Sequence, residues 1–224
     1  MKRMGGLGFE DYTKGSIEMH KLDEGGKAHW RPNKPGATYW VTGLPGAGKT
    51  SVGRLLWRQL QSSGRFALFL DGDDLRALLG GQAGYRRSER HALAKRYASL
   101  CLEFSSQGAE VVCATVSMFE DVRQWNRSNL PNYREIYLRV PIEILQQRDQ
   151  KGLYSGAARG GSAHVPGVDQ AFEEPSCPDV VIDNDGRLPP EAIADQLFRI
   201  WAPDGRMTAP DKASRSIDMT AEAT

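Results

Sequence analysis

A chain of 224 residues, with 29 Lys and Arg against 28 Asp and Glu, has room for one substantial α/β domain plus tails. Its formal net charge of +1 and its lack of a dense basic block argue against a nucleic-acid or polybasic membrane partner, which leaves a small molecule by elimination. No apolar run approaches the roughly 20 residues of a membrane span and the N-terminus has no apolar signal core, so the expected location is the cytoplasm.

Residues 1–36 are polar and glycine-rich, with Pro32 and Pro35 near their end, and are expected to form an irregular arm. From Ala37 to Ala202 the pattern alternates. Thr38-Tyr39-Trp40-Val41-Thr42 is β-branched and aromatic, as a strand should be, and Val52, Leu55, Leu56 and Leu60 recur at helical spacing. A second strand is expected over Phe66–Leu70. A long helix follows from about Arg87 to Ser106, with Leu93, Tyr97, Leu100, Cys101 and Phe104 on one face. Then come a strand over Val111–Val116, a helix near Val122–Ser128, a strand over Glu135–Val140, a helix from about Ile142, a strand over Asp179–Ile182, and a last helix over Pro190–Trp201. Residues 203–224 mix Pro, Asp, Lys, Ser, Thr and Ala with almost no apolar content and are expected to be a disordered tail. Strands alternating with helices imply an α/β fold with a mostly parallel sheet and helices on both faces. Ligands then bind at the carboxyl ends of the strands, which puts Gly43–Thr50, Asp71–Arg76, Ser117–Arg123 and the loop after Arg148 on one rim.

Between the first strand and the first helix, Gly43-Leu44-Pro45-Gly46-Ala47-Gly48-Lys49-Thr50 fits the phosphate-binding pattern G-x-x-x-x-G-K-[ST]. Gly43, Gly46 and Gly48 let the backbone wrap an anion with its N–H groups inward, and the helix dipole adds to the attraction. Gly43, Gly46, Ala47, Gly48, Lys49, Thr50 and Ser51 are therefore the expected phosphate cradle. Lys49 is expected to reach the β- and γ-phosphates, and the Thr50 hydroxyl to serve Mg²⁺. The fold expected is that of the P-loop NTPases.

Asp71-Gly72-Asp73-Asp74-Leu75-Arg76 suits the handling of a phosphate acceptor: Asp73 can orient a hydroxyl, take its proton or hold metal-bound water, and Arg76 can fork onto an anion. Asp74 is expected only to cap the next helix. Arg86, Arg87, Lys95 and Arg96 read as a wet helix face. Gly156–Gly167 is a small-residue, glycine-rich stretch suited to a mobile lid that excludes water. Asp183-Asn184-Asp185-Gly186 imitates a GTPase D-x-x-G but lacks its guanine-reading companion, and no functional role is expected of it. Cys101, Cys113 and Cys177 have no metal-ligand spacing and are expected to be buried free thiols. The four His residues show no pairing for metal or triad chemistry, and the Trp residues are expected in packing.

Taken in order, Gly43–Thr50, Leu70-Asp71-Gly72-Asp73, Arg148-Asp149-Gln150-Lys151-Gly152-Leu153-Tyr154, and Gly167-Val168-Asp169 through Phe172-Glu173-Glu174-Pro175 resemble the adenylylsulfate kinase family, from about Ala37 to Trp201. The resemblance implies ATP- and Mg²⁺-dependent transfer of the γ-phosphate to the ribose 3′-hydroxyl of a nucleotide, commonly by a homodimer. It implies catalytic roles for Lys49 and Asp73, roles near ATP and the lid for Arg148 and Lys151, and acceptor roles for Asp73, Arg76, Tyr85, Arg90 and Ser117.

The sequence departs from the family where the acceptor base is read. The family's Phe-Ile-Ser-Pro-Tyr-Arg run stands here as Thr115-Val116-Ser117-Met118-Phe119-Glu120. An asparagine after the Arg90 position has become Leu93, and a stacking aromatic of the lid aligns with about Val165, its partner being retained as Tyr85. Two acceptors stay open: adenylyl sulfate, or another nucleotide such as cytidine diphosphoramidate, whose kinases resemble this family. Turnover on the second alone would make Leu93, Met118, Glu120 and Val165 the specificity switch. From a different class, a nucleotide-binding regulatory protein without turnover is disfavoured by the retention of Lys49, Thr50, Asp73 and Arg76.

Overall fold

The computed structural model describes residues 34–79, 86–117, 119–149, 152, 154–155, 165–168, 170 and 172–201. The expectations for the arm up to residue 33, for the tail, for Tyr85, Met118 and Lys151, and for most of the glycine-rich stretch lie outside the described residues. In chain order the elements are β1 (Thr38–Thr42), α1 (Lys49–Ser62), β2 (Ala67–Asp71), α2 (Gly72–Leu79), α3 (Arg87–Ser106) and β3 (Glu110–Thr115). They continue as α4 (Glu120–Asn129), β4 (Tyr133–Arg139), α5 (Ile142–Arg148), β5 (Val180–Asp183) and α6 (Pro190–Ile200).

All strand pairs are parallel, in the order β2-β3-β1-β4-β5. The central strand β1 is buried along its whole length, as a strand covered on both faces must be. Its side chains alternate between two cores. Tyr39 and Val41 pack with Leu56 and Leu60 of α1 and Ile193 and Leu197 of α6, while Trp40 enters the opposite core with Tyr97 and Cys101 of α3 and Val122 of α4. Leu56 and Leu197 are fully buried, and truncating either to Ala would cost about 2–5 kcal/mol. The end of α1 is closed by Gly64 in the left-handed region (φ 80°), where its N–H reaches the Gln61 carbonyl at 2.9 Å. Among the described residues no helix is long and apolar enough to cross a membrane.

Several boundaries differ from the sequence expectation. Phe66 is 65% exposed and lies outside β2, because the β2–β3 register ends at Ala67↔Glu110. Helix α4 starts at Glu120, ahead of the expected Val122, since the Arg123 N–H already closes a turn on the Phe119 carbonyl at 3.2 Å. Asp74 is not the cap of α2: the helix begins at Gly72, and the carboxylate that takes a first-turn N–H is Asp71, whose Oδ1 accepts from Asp73 N at 2.8 Å. Cys101 and Cys113 are buried as expected, but Cys177 is exposed on the loop before β5, where neither core covers it.

Because the strands are parallel, their carboxyl ends share one edge of the sheet, and strand order reverses beside β1. That edge carries the loop after β1, the start of α2 and Ser117 after β3.

Candidate active site

The loop after β1 is shaped by close backbone approach. A Cβ on Gly43 would lie 2.5 Å from the Leu138 carbonyl oxygen, and one on Gly48 (φ 86°) would lie 2.8 Å from Asn184 Nδ2. The loop then enters α1, whose first turn carries no acidic side chain, so its N-terminal N–H groups and dipole are left for an anion. Lys49, 8% exposed, donates from Nζ to the Leu44 carbonyl at 2.8 Å and spans its own loop. Ala47 is buried, whereas Thr50 and Ser51 are exposed on the first turn of α1.

Three distant residues brace the loop. Asn184 Nδ2 donates to the Ala47 carbonyl at 2.9 Å, and the Asn184 carbonyl accepts from the Arg148 guanidinium at 2.9 Å. The Tyr154 hydroxyl donates to the Pro45 carbonyl at 2.8 Å. Burial, then the nearby Asp149 charge, pushes that phenol up to about 12, so it remains a donor at neutral pH. Asp149, itself at φ 30°, takes the N–H groups of Tyr154 and Ser155 at 2.8 and 3.2 Å and fixes the turn that presents the tyrosine. The Asp183–Gly186 run, of which no role was expected, therefore props the phosphate loop through Asn184.

A second chain of bonds leads away from the loop. The Thr50 hydroxyl donates to Asp71 Oδ2 at 2.7 Å, and Asp71 Oδ1 accepts the Asp73 N–H. With its proton committed to Asp71, Thr50 turns its lone pairs outward. Asp73 lies exposed on the first turn of α2, and Arg76 is half-buried one turn later. Both act on the buried Tyr97 phenol, which is pushed up mainly by burial against the opposing pull of the Arg76 guanidinium. Ser117 is 4% exposed; its carbonyl accepts from Thr42 Oγ1 at 3.3 Å, and its Oγ finds no partner among the described residues. Arg90 is half-buried on the first turns of α3.

The starts of α3 and α4 flank an open, shallow groove of about 580 Å³ lined by Arg87, Ser88, His91, Phe119, Asp121 and Glu173. None of the phosphate-loop residues lines it. His91 pairs with Asp121 at 2.7 Å, and the Arg87 guanidinium sits 5.1 Å from the centre of the Phe119 ring. Arg87 is thus not merely a wet charge.

The departures from the family are absorbed by packing. Glu120 faces the fully buried Arg123, accepting from its Nη2 at 2.6 Å and from Ser176 Oγ at 2.8 Å. Burial raises the Glu120 carboxyl, but these partners together hold it below its ordinary value. Arg123 also lies 3.3 Å from Glu135, which Arg127 pairs at 2.6 Å. Leu93 is 3% exposed in the core with Tyr97, and Val165 is 5% exposed in the core with Leu44 and Tyr154. Leu93 and Val165 are therefore packed in the interior, and Glu120 is engaged in an ion pair and hydrogen bonds.

Sequence reasoning gave no role to Asp71, Asn184, Tyr154 or Glu173. Asp71 carried a usable signal, a carboxylate ending an apolar strand beside a phosphate loop; the bracing by Asn184 and Tyr154 depends on distant carbonyls that no local pattern marks.

A model of the adenylylsulphate kinase family matches residues 35–183. The cytidine diphosphoramidate kinase of Campylobacter jejuni is 41% identical over 148 residues, covering 66% of this chain and 86% of that protein. The adenylyl-sulfate kinase of Paraburkholderia xenovorans is 34% identical over 174 residues, covering 77% and 97%. Among solved structures, the Mycobacterium tuberculosis APS kinase in complex with AMPPNP and APS has a TM-score of 0.69 at 28% identity, covering 74% of this chain and 97% of that one.

Proposed function

Since the chain belongs to the adenylylsulphate kinase family, we propose that it transfers the γ-phosphate of ATP to the ribose 3′-hydroxyl of a nucleotide, with adenylyl sulfate as the acceptor and 3′-phosphoadenylyl sulfate as the product. The observation that carries this is the bond chain from Thr50 through Asp71 to Asp73, which ties the phosphate loop to the acid expected at the acceptor.

The loop N–H groups and the α1 dipole hold the ATP phosphates, and Lys49 leaves the Leu44 carbonyl to neutralise charge on the group being transferred. Asp73 orients the acceptor hydroxyl and accepts its proton, while Arg76, Arg90 and Ser117 hold the acceptor, with Tyr85 beside its base. Arg148 and Lys151 serve the ATP side. The residues fit a divalent cation: Thr50 presents lone pairs beside the Asp71 carboxylate. Among the described residues no three His, Cys, Asp or Glu side chains gather to hold one alone, which suits Mg²⁺ shared with nucleotide phosphates. When bound, Mg²⁺ neutralises phosphate charge. A homodimer acting in the cytoplasm completes the proposal, on the strength of the family resemblance.

A second acceptor, cytidine diphosphoramidate, is favoured by the 41% identity to a kinase named for it. ADP release from ATP and Mg²⁺ is measured with adenylyl sulfate, cytidine diphosphoramidate and plain nucleoside monophosphates, with Lys49→Ala as the inactive control. Turnover on adenylyl sulfate supports the first acceptor and turnover on the cytidine compound alone the second. No turnover on any of them refutes the kinase.

A further inference from the structure

Val165 to Ser176 links the two halves of the site. At one end Gly167 packs on Leu44 of the phosphate loop: a Cβ there would lie 3.1 Å from the leucine methyl carbons. At the other end Glu173 Oε2 accepts the Glu120 N–H, at the start of α4, at 2.7 Å, and Glu173 Oε1 pairs with Arg87 on the first turn of α3. Arg123 Nη2 donates to the Glu174 carbonyl at 3.2 Å, and Ser176 bonds Glu120, so the segment is stapled to α4 twice more just after Glu173. The two helix starts that Glu173 joins are the ones that carry the acceptor residues. Arg90 follows Arg87 by one turn of α3, and Ser117 lies just before the Phe119 N-cap region of α4 in the chain.

We propose that Glu173 is a positioning residue of the acceptor site: one carboxylate clamps the start of α3 to the start of α4 and thereby sets Arg90 against Ser117. The inference rests on the acceptor roles given to those two residues above. A carboxylate is suited to this because both of its oxygens accept, so one side chain satisfies the Glu120 N–H and the Arg87 guanidinium together. An amide of the same shape cannot: its oxygen serves one donor, and its NH₂ group faces the other.

Glu173→Gln is therefore expected to raise the acceptor KM about tenfold while kcat and the ATP KM stay within about twofold, a split that a general loss of structure would not give. The Arg87–Glu173 pair is 47% and 43% exposed, so the melting temperature should stay within about 3 °C of wild type. Arg87→Gln breaks the clamp from its other side, together with the Arg87 contact on the Phe119 ring, and should raise the acceptor KM at least as much; the double variant should be no worse than Arg87→Gln alone, because the pair that Glu173→Gln removes is already lost there. Glu173→Asp, which keeps the charge, should recover part of the loss. An unchanged acceptor KM in both single variants overturns the proposal, as does an equal rise in both KM values. If Glu173→Gln does not fold, Arg87→Gln decides alone. Wild-type turnover tests the kinase separately. If wild type turns over no acceptor, the kinase reading fails, and the equilibrium affinities of wild type and Glu173→Gln for adenylyl sulfate and cytidine diphosphate still decide the clamp.

Discussion

Asp71→Asn is the substitution that most sharply tests the link between the phosphate loop and the acceptor acid. Asp71 is 8% exposed and accepts two hydrogen bonds, from Thr50 Oγ1 and from the Asp73 backbone N–H. Asparagine has the same shape but one acceptor oxygen. A first-turn N–H has no helical carbonyl four residues back to turn to, so the amide oxygen goes to the Asp73 N–H and the NH₂ group faces Thr50. The hydroxyl must then accept instead of donate, and its proton turns outward to where its lone pairs had pointed. One charge-assisted bond is lost, worth about 1.5–3 kcal/mol, and a cation beside Thr50 meets a proton instead of an electron pair. The expected result is a drop of about 10- to 150-fold in kcat/KM with a rise in the Mg²⁺ concentration needed for half-maximal rate. Initial rates across a Mg²⁺ titration measure both. No volume changes, the Asp73 bond survives and Thr50 keeps a neutral bond to the amide, so the melting temperature should fall by only a few degrees. Wild-type rates and Mg²⁺ dependence in Asp71→Asn would refute the reasoning.

Asp73→Asn should lower kcat by about 10²- to 10⁴-fold with little change in either KM, as expected for loss of a proton acceptor; an unchanged rate demotes Asp73 to structure. Asn184→Ala leaves the Ala47 carbonyl without its brace, at a cost of about 1–3 kcal/mol, to be read as a lower melting temperature and a higher ATP KM; a change confined to the acceptor KM would contradict the geometry. Burial pushes the Glu135 carboxyl from 4.5 up to about 7, against the opposing pull of Arg123 and Arg127. Between those values the folded chain keeps a proton that the unfolded chain has released, so this contribution to stability falls as pH rises through the window and levels off above it. The melting temperature of wild type relative to Glu135→Gln should fall across that window, and a flat difference would show that Glu135 is ionised throughout.

Local pattern made the sheet and the phosphate loop legible. Thr38–Thr42 is apolar on both faces because helices cover both faces, and α3 matched its expected ends because its buried face repeats at helical spacing through Leu93, Tyr97 and Cys101. The misplacements fall where local signal and environment part. Phe66 has strand chemistry but sits past the last β2–β3 pair, and Cys177 has a buried residue's chemistry on a loop outside either core. Glu120 has a second reading in the fold. Aligned alone it is an arginine lost from base recognition. In the fold it is the counter-charge of Arg123, a guanidinium buried to 1% exposure whose need for carboxylates no helical or strand period reveals.

That contrast separates the two halves of the site physically. The proposed phosphate side is built from contiguous residues whose backbone N–H groups are suited to the binding, so glycine spacing alone is enough to specify it. The acceptor side has no such backbone device. As proposed, it is assembled from the starts of α2, α3 and α4, which are separated in sequence; Glu173, Glu120 and Arg123 tie the last two to the segment after Val165. Side-chain ion pairs of this kind can be exchanged, as an arginine for a glutamate at 120, without disturbing the loop that holds ATP. With the acceptor bound there as proposed, the Glu173 clamp is where this chain's acceptor affinity should be altered first.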